Sequence, residues 1–260
     1  MSQAQAEILP DIRNLITEDD EPVDNLFSET QQRLLTEPLY SSWTGGGRTF
    51  LAAANVGVFY LARRPAIVPD MLLSLDVEIP EGFWSRETQS YFLWEFGKPP
   101  DVVIEVVSKT ARNEDTEKKA IYARMRVGYY VIFDPNDYLM PQPLTIYRWS
   151  NFEYEVQTSA VFPALGLSLV LWEGEYEGKF DRWLRWADAK GQLIPTGKEL
   201  AAQAQQQAAQ AQQQAAQAQQ QAAQAQQQAK QAEDLLRQEQ ERAKRMAEML
   251  RQLGKDPTQI

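Results

Sequence analysis

The sequence has no cysteine and no histidine. Without cysteine there are no disulfides and no thiol nucleophiles. Without either residue, zinc sites of the usual type and every histidine-based triad or proton shuttle are excluded. Metal chemistry must then use hard oxygen ligands, which favours magnesium or manganese. No apolar run approaches the length of a membrane span. The opening MSQAQAEILPD has neither a basic region nor an apolar run, so it does not read as a signal peptide. A cysteine-free chain suits a reducing compartment, and the expectation is a cytoplasmic protein with no membrane association.

Positive charge is also scarce. The 260 residues carry 26 Lys and Arg against 36 Asp and Glu. From Thr196 onward there are eight basic and seven acidic residues, which leaves the preceding body with 18 against 29, a net of −11. Such a body is a poor general surface for phosphates, which need local positive charge. Arg63, Arg64, Lys109 and Arg112 are the candidates for a small basic groove.

What is present is arranged around Pro99–Pro135. Val102–Val107 reads VVIEVV, apolar on both alternating faces and interrupted only by Glu105, as in a strand covered on both sides. A buried carboxylate must be paired, hydrogen-bonded or bound to a metal. Glu105 therefore reaches water at the strand end, pairs with an arginine, or binds a metal, and the metal reading is preferred. A polar turn, Ser108–Asn113, follows, and then a helix over Glu114–Met125. Glu114, Lys118 and Tyr122 recur every four residues and share one face of that helix. Taken alone, Glu114 and Lys118 read as an ordinary exposed ion pair. Tyr129–Phe133 is a second buried strand, stopped by Asp134-Pro135. Strand, helix, strand with short links is a crossover unit that sets the two strands side by side or nearly so.

Ahead of this unit, residues 1–26 form an acidic lead-in, densest at Glu18–Glu21. Ser28–Gln31 has capping-box form and opens a helix with Leu34 and Leu35 inward, ended or kinked at Pro38. Gly45–Gly47 is a turn, and Thr49–Tyr60 is strand-forming toward Val56–Tyr60. Pro69-Asp70 leads into a strand at Met71–Val77. Ile79–Gly97 is rich in aromatics, including Phe83, Trp84, Tyr91, Phe92, Trp94 and Phe96. It reads as a hairpin or lid whose rings serve core packing before base stacking.

After the unit, Leu144–Trp149 and Phe152–Val156 form a meander about Ser150-Asn151, and Leu165–Leu171 follows. Arg182–Trp186, a turn at Ala189–Gly191 and Gln192–Ile194 read as a closing hairpin. Thr196–Glu199 is a second capping box. AAQAQQQ then repeats four times, beginning at Ala201, Ala208, Ala215 and Ala222. With a at Ala201 and d at Ala204, the heptad register runs on through Leu236, Ala243, Met246, Leu250 and Leu253, with Glu239 the one polar d position. Gly254 stops the helix. The segments are thus a lead-in at 1–26, a folded body at 27–195, a heptad helix at 196–253 and a polar tail at 254–260. Alanine seams bury little, so the Leu/Met end carries most of any pairing energy, with a second copy or another partner.

Asp70 after Pro69, Glu105 in DVVIEVVS, a helix carrying Lys118 and Tyr122, and YYVIFDP together resemble the Uma-two family. This is a bacterial family of restriction-endonuclease-like nucleases of the PD-(D/E)XK superfamily. The stretches TEDDEPVDN, SETQQRLLTEPLYSSW, VPDMLLSLDV, SYFLWEFGKPPDVVIEVVS and VGYYVIFDP carry the resemblance, over roughly Glu18–Pro195. It implies an α/β fold with a mixed central sheet flanked by helices, here followed by a long C-terminal coiled-coil helix. By resemblance, Asp70, Glu105 and the Val106 backbone carbonyl bind one divalent cation, Mg2+ or Mn2+. Lys118 orients the attacking water, with Lys119 the substitute. Glu29 and Tyr122 are supporting positions. The superfamily's usual lysine stands two residues after the glutamate, where this chain has Val107, so that function moves to the helix.

Two readings follow. In one, the protein is a metal-dependent endonuclease acting on nucleic acid, DNA before RNA, and the coiled coil makes a homo-oligomer or docks a partner. In the other, it is a catalytically silent nuclease-fold scaffold or regulator that works through its coiled coil.

Overall fold

The computed structural model describes residues 25–78, 89–109 and 113–252. The acidic run Glu18–Glu21, the rings of Phe83 and Trp84, Arg112, Leu253, Gly254 and the polar tail lie outside them. The chain divides into two units, residues 1–200 and 201–260.

In the first unit, helix α1 (Leu26–Pro38) precedes strands β1 (Phe50–Ala54), β2 (Val58–Phe59), β3 (Met71–Leu75) and β4 (Tyr91–Phe92). A short helix α2 (Leu93–Phe96), strand β5 (Val102–Val106), helix α3 (Lys119–Met125) and strand β6 (Tyr129–Phe133) follow. Strands β7 (Leu144–Ser150), β8 (Glu153–Gln157), β9 (Val161–Phe162), β10 (Leu167–Tyr176) and β11 (Lys179–Asp188) complete the body.

The central sheet has six strands in the order β1-β3-β5-β6-β7-β8. Only β5 and β6 run parallel within it, with Glu105 opposite Ile132. Both strands are buried along their whole length, as their unbroken apolar runs require. The crossover between them contains α3, so the fold is mixed α/β.

Period-two alternation sorts the sheet's side chains into two cores. Met71, Leu73, Val102, Ile104, Val131 and Phe133 pack on one face with Leu35 and Leu39 and with Leu184 and Trp186 of β11. Leu72, Val103, Val107, Tyr130 and Ile132 pack on the other with Tyr122 and Met125. Leu34 and Leu35 are fully buried, and each contributes about 1.5–3 kcal/mol by leaving water.

Helix α1 joins β11 through a polar contact as well. The Gln31 amide donates to the Leu184 carbonyl at 2.8 Å, and its oxygen accepts the Leu184 N–H at 2.9 Å. The Trp186 indole N–H donates to the Leu35 carbonyl at 2.8 Å. The Trp186 carbonyl accepts from Ile194 N–H at 2.9 Å.

Several boundaries differ from the sequence reading. The N-cap of α1 is Asn25, whose side chain accepts from Phe27 and Ser28 N–H. Ser28 lies buried inside the helix, and Gln31 is spent on Leu184, so neither serves a capping box. The end of the helix agrees with the sequence, since α1 stops at Pro38 and gives way to a wide turn at Leu39–Trp43. The strand expected toward Val56–Tyr60 is mainly Phe50–Ala54, because Asn55 takes positive φ and breaks it. Residues Glu177 and Gly178, both at positive φ, join β10 to β11 in a long hairpin. The expected closing hairpin shrinks to a single bridge between Ala187 and Leu193.

The rings of Tyr91 and Phe92 are buried, and the half-buried Trp94 and Phe96 pack against them. Tyr91 stacks on Phe96 at 4.3 Å and Phe92 on Phe59 at 4.8 Å.

Helix α4 (Gly197–Gln252) starts at a reciprocal cap. Thr196 N–H donates to Glu199 at 2.7 Å, and Glu199 N–H donates to the Thr196 hydroxyl at 3.2 Å. Buried Arg185 also pairs with Glu199 at 2.7 Å. The helix is continuous over its 56 residues, which at about 1.5 Å each correspond to roughly 84 Å. None of its residues is buried, and Leu235, Leu236, Met246 and Met249 are exposed. Among the described residues no helix is long and apolar enough to cross a membrane.

Candidate metal and nucleic-acid site

Asp70 and Glu105 stand on neighbouring strands. Asp70 immediately precedes β3 and alternates with Leu72, while Glu105 alternates with Val103 and Val107. Leu72, Val103 and Val107 all belong to the core on the α3 face, so the two acids share the parity of that face. Both acids are buried.

The β3–β5 pairing ends at Met71 opposite Ile104. Beyond it the strands part, and Asp70 bridges the gap. Its Oδ2 accepts the Val106 N–H at 2.6 Å. Its Oδ1 accepts from the Gln32 amide at 2.9 Å. Gln32 is itself fixed by Asn55, whose amide donates to the Gln32 oxygen at 2.8 Å. In an extended strand the N–H and C=O of one residue point to the same edge. The Val106 carbonyl therefore faces the fork that Asp70 occupies, away from Phe133, which binds Val107 N–H instead.

Glu105 is fully buried and accepts two hydrogen bonds. Lys118 donates to Oε2 at 2.7 Å and the Tyr122 hydroxyl donates to Oε1 at 2.7 Å. Burial raises the Glu105 carboxyl above the usual carboxylate range, although Lys118 and Tyr122 both oppose the shift. Burial works against the Lys118 ammonium, but Glu105, Asp70 and Glu114 outweigh it and raise that group above its ordinary value. Burial, reinforced by Glu105, pushes the Tyr122 hydroxyl well up, so it donates as a neutral phenol.

Local geometry explains which lysine arrives. Glu114–Lys118 forms a wide π-type turn, with Lys118 N–H donating to the Asn113 carbonyl at 3.0 Å, before α3 begins. One residue on, Lys119 points elsewhere, its ammonium 3.9 Å from the centre of the Tyr147 ring. Glu29 is half exposed and paired with Arg33 at 2.8 Å. The side chain that α1 extends to Asp70 is Gln32. Arg63, Arg64 and Lys109 are exposed.

Glu114 corrects the sequence reading. It is only 2% exposed, and Lys118 pairs with Glu105 in its place. Tyr130 donates its hydroxyl to the Glu114 backbone carbonyl at 2.6 Å. The Glu114 Oε2 atom is buried with no hydrogen-bond partner among the described residues.

Among the described residues no three acidic side chains come close enough to hold a metal by themselves. The donor set nevertheless fits a hard cation. Magnesium is commonly held by one or two carboxylates and keeps several waters. Asp70, Glu105 and the Val106 carbonyl would offer such an ion oxygen donors alone.

The positions of Gln32 and Asn55 beside Asp70, and the burial of Glu114, are not legible in the sequence. The two amides carry no periodic signal, and the spacing of Glu114 from Lys118 mimics a surface pair.

Among known proteins, the sequence model of the Uma2 family, described as "Putative restriction endonuclease", matches residues 19–170, more than half of the chain. The match takes in α1, the central sheet and α3. No curated protein matches the chain significantly.

Proposed function

From a chain that belongs to the Uma2 family of restriction-endonuclease-like proteins, we propose a divalent-cation-dependent endonuclease that hydrolyses phosphodiester bonds in DNA. The observation that carries this reading is the meeting of Glu105 with Lys118 on the face shared with Asp70. Asp70, Glu105 and the Val106 carbonyl would hold the cation, Mg2+ or Mn2+. When bound there, such an ion lowers the pKa of a coordinated water and offsets charge on the phosphoryl oxygens.

The chain's own groups do the positioning. Gln32, locked by Asn55, fixes one oxygen of Asp70, and the Val106 N–H fixes the other. Tyr122 orients Glu105 from below the sheet's α3 face. Lys118 reaches the site from the turn before α3 and sets its ammonium where a phosphate oxygen or attacking water needs a donor. A reducing, cytoplasmic setting belongs to the same reading, supported by the cysteine-free sequence.

The heptad helix would pair copies of the chain or dock a partner through Leu236, Met246 and Leu250. A second reading, a silent nuclease fold acting through that helix, is favoured by the net charge of −11 on the body.

Calorimetry with Mg2+ on the wild type and on Glu105→Gln separates the two. Glutamine keeps the shape and removes the charge. Binding by the wild type alone, followed by Mg2+-dependent cleavage of duplex DNA that Lys118→Met abolishes, is the expected result. No binding with or without duplex DNA present leaves the scaffold reading.

A further inference from the structure

We propose that Glu114 is a second berth for the Lys118 ammonium, taken up when a divalent cation occupies Asp70 and Glu105. The inference rests on the cation reading of those two acids and extends it to a positioning residue.

Lys118 sits on Glu105 Oε2, an oxygen of the carboxylate assigned to the cation. Two positive charges on one buried carboxylate repel each other strongly at low dielectric. Binding of the ion must therefore shift the ammonium. Ejection into water would leave the reaction without its lysine. A nearby acceptor would keep it in place.

Glu114 has the properties such an acceptor needs. It lies four residues before Lys118 in the same turn, a spacing that makes side chains neighbours. It is buried, and its Oε2 has no hydrogen-bond partner among the described residues. A buried oxygen left unmatched is costly, which points to a partner acquired in another state of the site. The residue is also pinned, because Tyr130 holds its backbone carbonyl at 2.6 Å. Its negative field is felt at both Lys118 and Glu105. Lys118 remains partly exposed, so its ammonium has room to swing.

The test is a double-mutant cycle on the full chain, read by Mg2+ calorimetry without nucleic acid. The expected result is that Glu114→Gln weakens Mg2+ binding about tenfold when Lys118 is present, and by less than about twofold in a Lys118→Met background. An equal loss in both backgrounds means that Glu114 attracts the ion directly and overturns the proposal. No loss in the wild-type background also overturns it, while leaving the cation site intact. Failure of the wild type itself to bind Mg2+ removes the underlying reading and this one together.

A second measurement needs no variant for its readout. With lysine side-chain nitrogens labelled, the Lys118 ammonium resonance is expected to move on Mg2+ addition and to stay protected from solvent exchange. A resonance that does not move, or one that exchanges freely once Mg2+ is bound, overturns the proposal even if a variant fails to fold.

Discussion

The Val106 backbone N–H and the Asp70 carboxylate meet at 2.6 Å where β3 and β5 part, so a side chain makes the last rung between the two strands. The acid is thereby fixed to the sheet itself, and the Val106 carbonyl is turned toward the same gap. A site built on strands is held more rigidly than one carried on loops.

Loss of Gln32 is expected to loosen this rung. Gln32→Leu removes the amide that donates to the buried Asp70 carboxylate at Oδ1. The expected cost is about 1–3 kcal/mol in urea denaturation, the range for a lost hydrogen bond to a charged group. A change below about 0.5 kcal/mol, the range of ordinary surface substitutions, would show that Asp70 does not depend on α1.

Tyr122→Phe tests the other acid. The ring remains packed while the hydroxyl donor to Glu105 Oε1 disappears. A loss of about 1–2 kcal/mol is expected on the same assay. Lys119→Met, which removes only the contact with the Tyr147 ring, is expected to cost less than about 1 kcal/mol. Equal effects would contradict the different surroundings of Tyr122 and Lys119.

Glu105 and Lys118 show where sequence reasoning works. β5 and β6 are legible because a strand buried on both faces needs an unbroken apolar run, and Glu105 stands out against that run. Lys118 is legible because it shares a helical face with Tyr122, and both reach Glu105. Glu114 lies on the same face by spacing, yet its burial depends on tertiary packing beside Tyr130, which no local pattern encodes. Asn25 is missed as a cap because Ser28–Gln31 imitates one three residues later, and only the packing of Ser28 decides between them.

The start of α4 is expected to respond to acid. Burial opposes the charge on Glu199, but Arg185 and the Thr196 cap outweigh it and hold its carboxyl below the ordinary value. A depressed carboxyl contributes stability above its unfolded pKa, near 4.5, and loses it as pH falls through the folded value. The wild type should therefore melt higher than Glu199→Gln at pH 6. The gap, about 1 kcal/mol after allowance for solvent screening, should close toward pH 3. A gap independent of pH would remove the ionic contribution.

The heptad helix is expected to associate through its Leu/Met end. Leu236→Lys together with Leu250→Lys places charge on two a positions of the seam. Sedimentation equilibrium should show a concentration-dependent oligomer for the wild type and a monomer for the double variant. A monomeric wild type at high concentration would instead favour a different partner for this helix.

The pairing of Gln31 with Leu184 also has a bearing on solubility. β11 lies at the end of its sheet, and an open strand edge is a template onto which other chains add strands and grow fibres. Here one glutamine side chain takes both main-chain groups of Leu184, and Ile194 takes the carbonyl of Trp186. The most apolar stretch of that edge thus has both main-chain groups of Leu184 and the carbonyl of Trp186 already bonded, and the protein can keep a long hairpin with fewer open rungs for a neighbouring molecule.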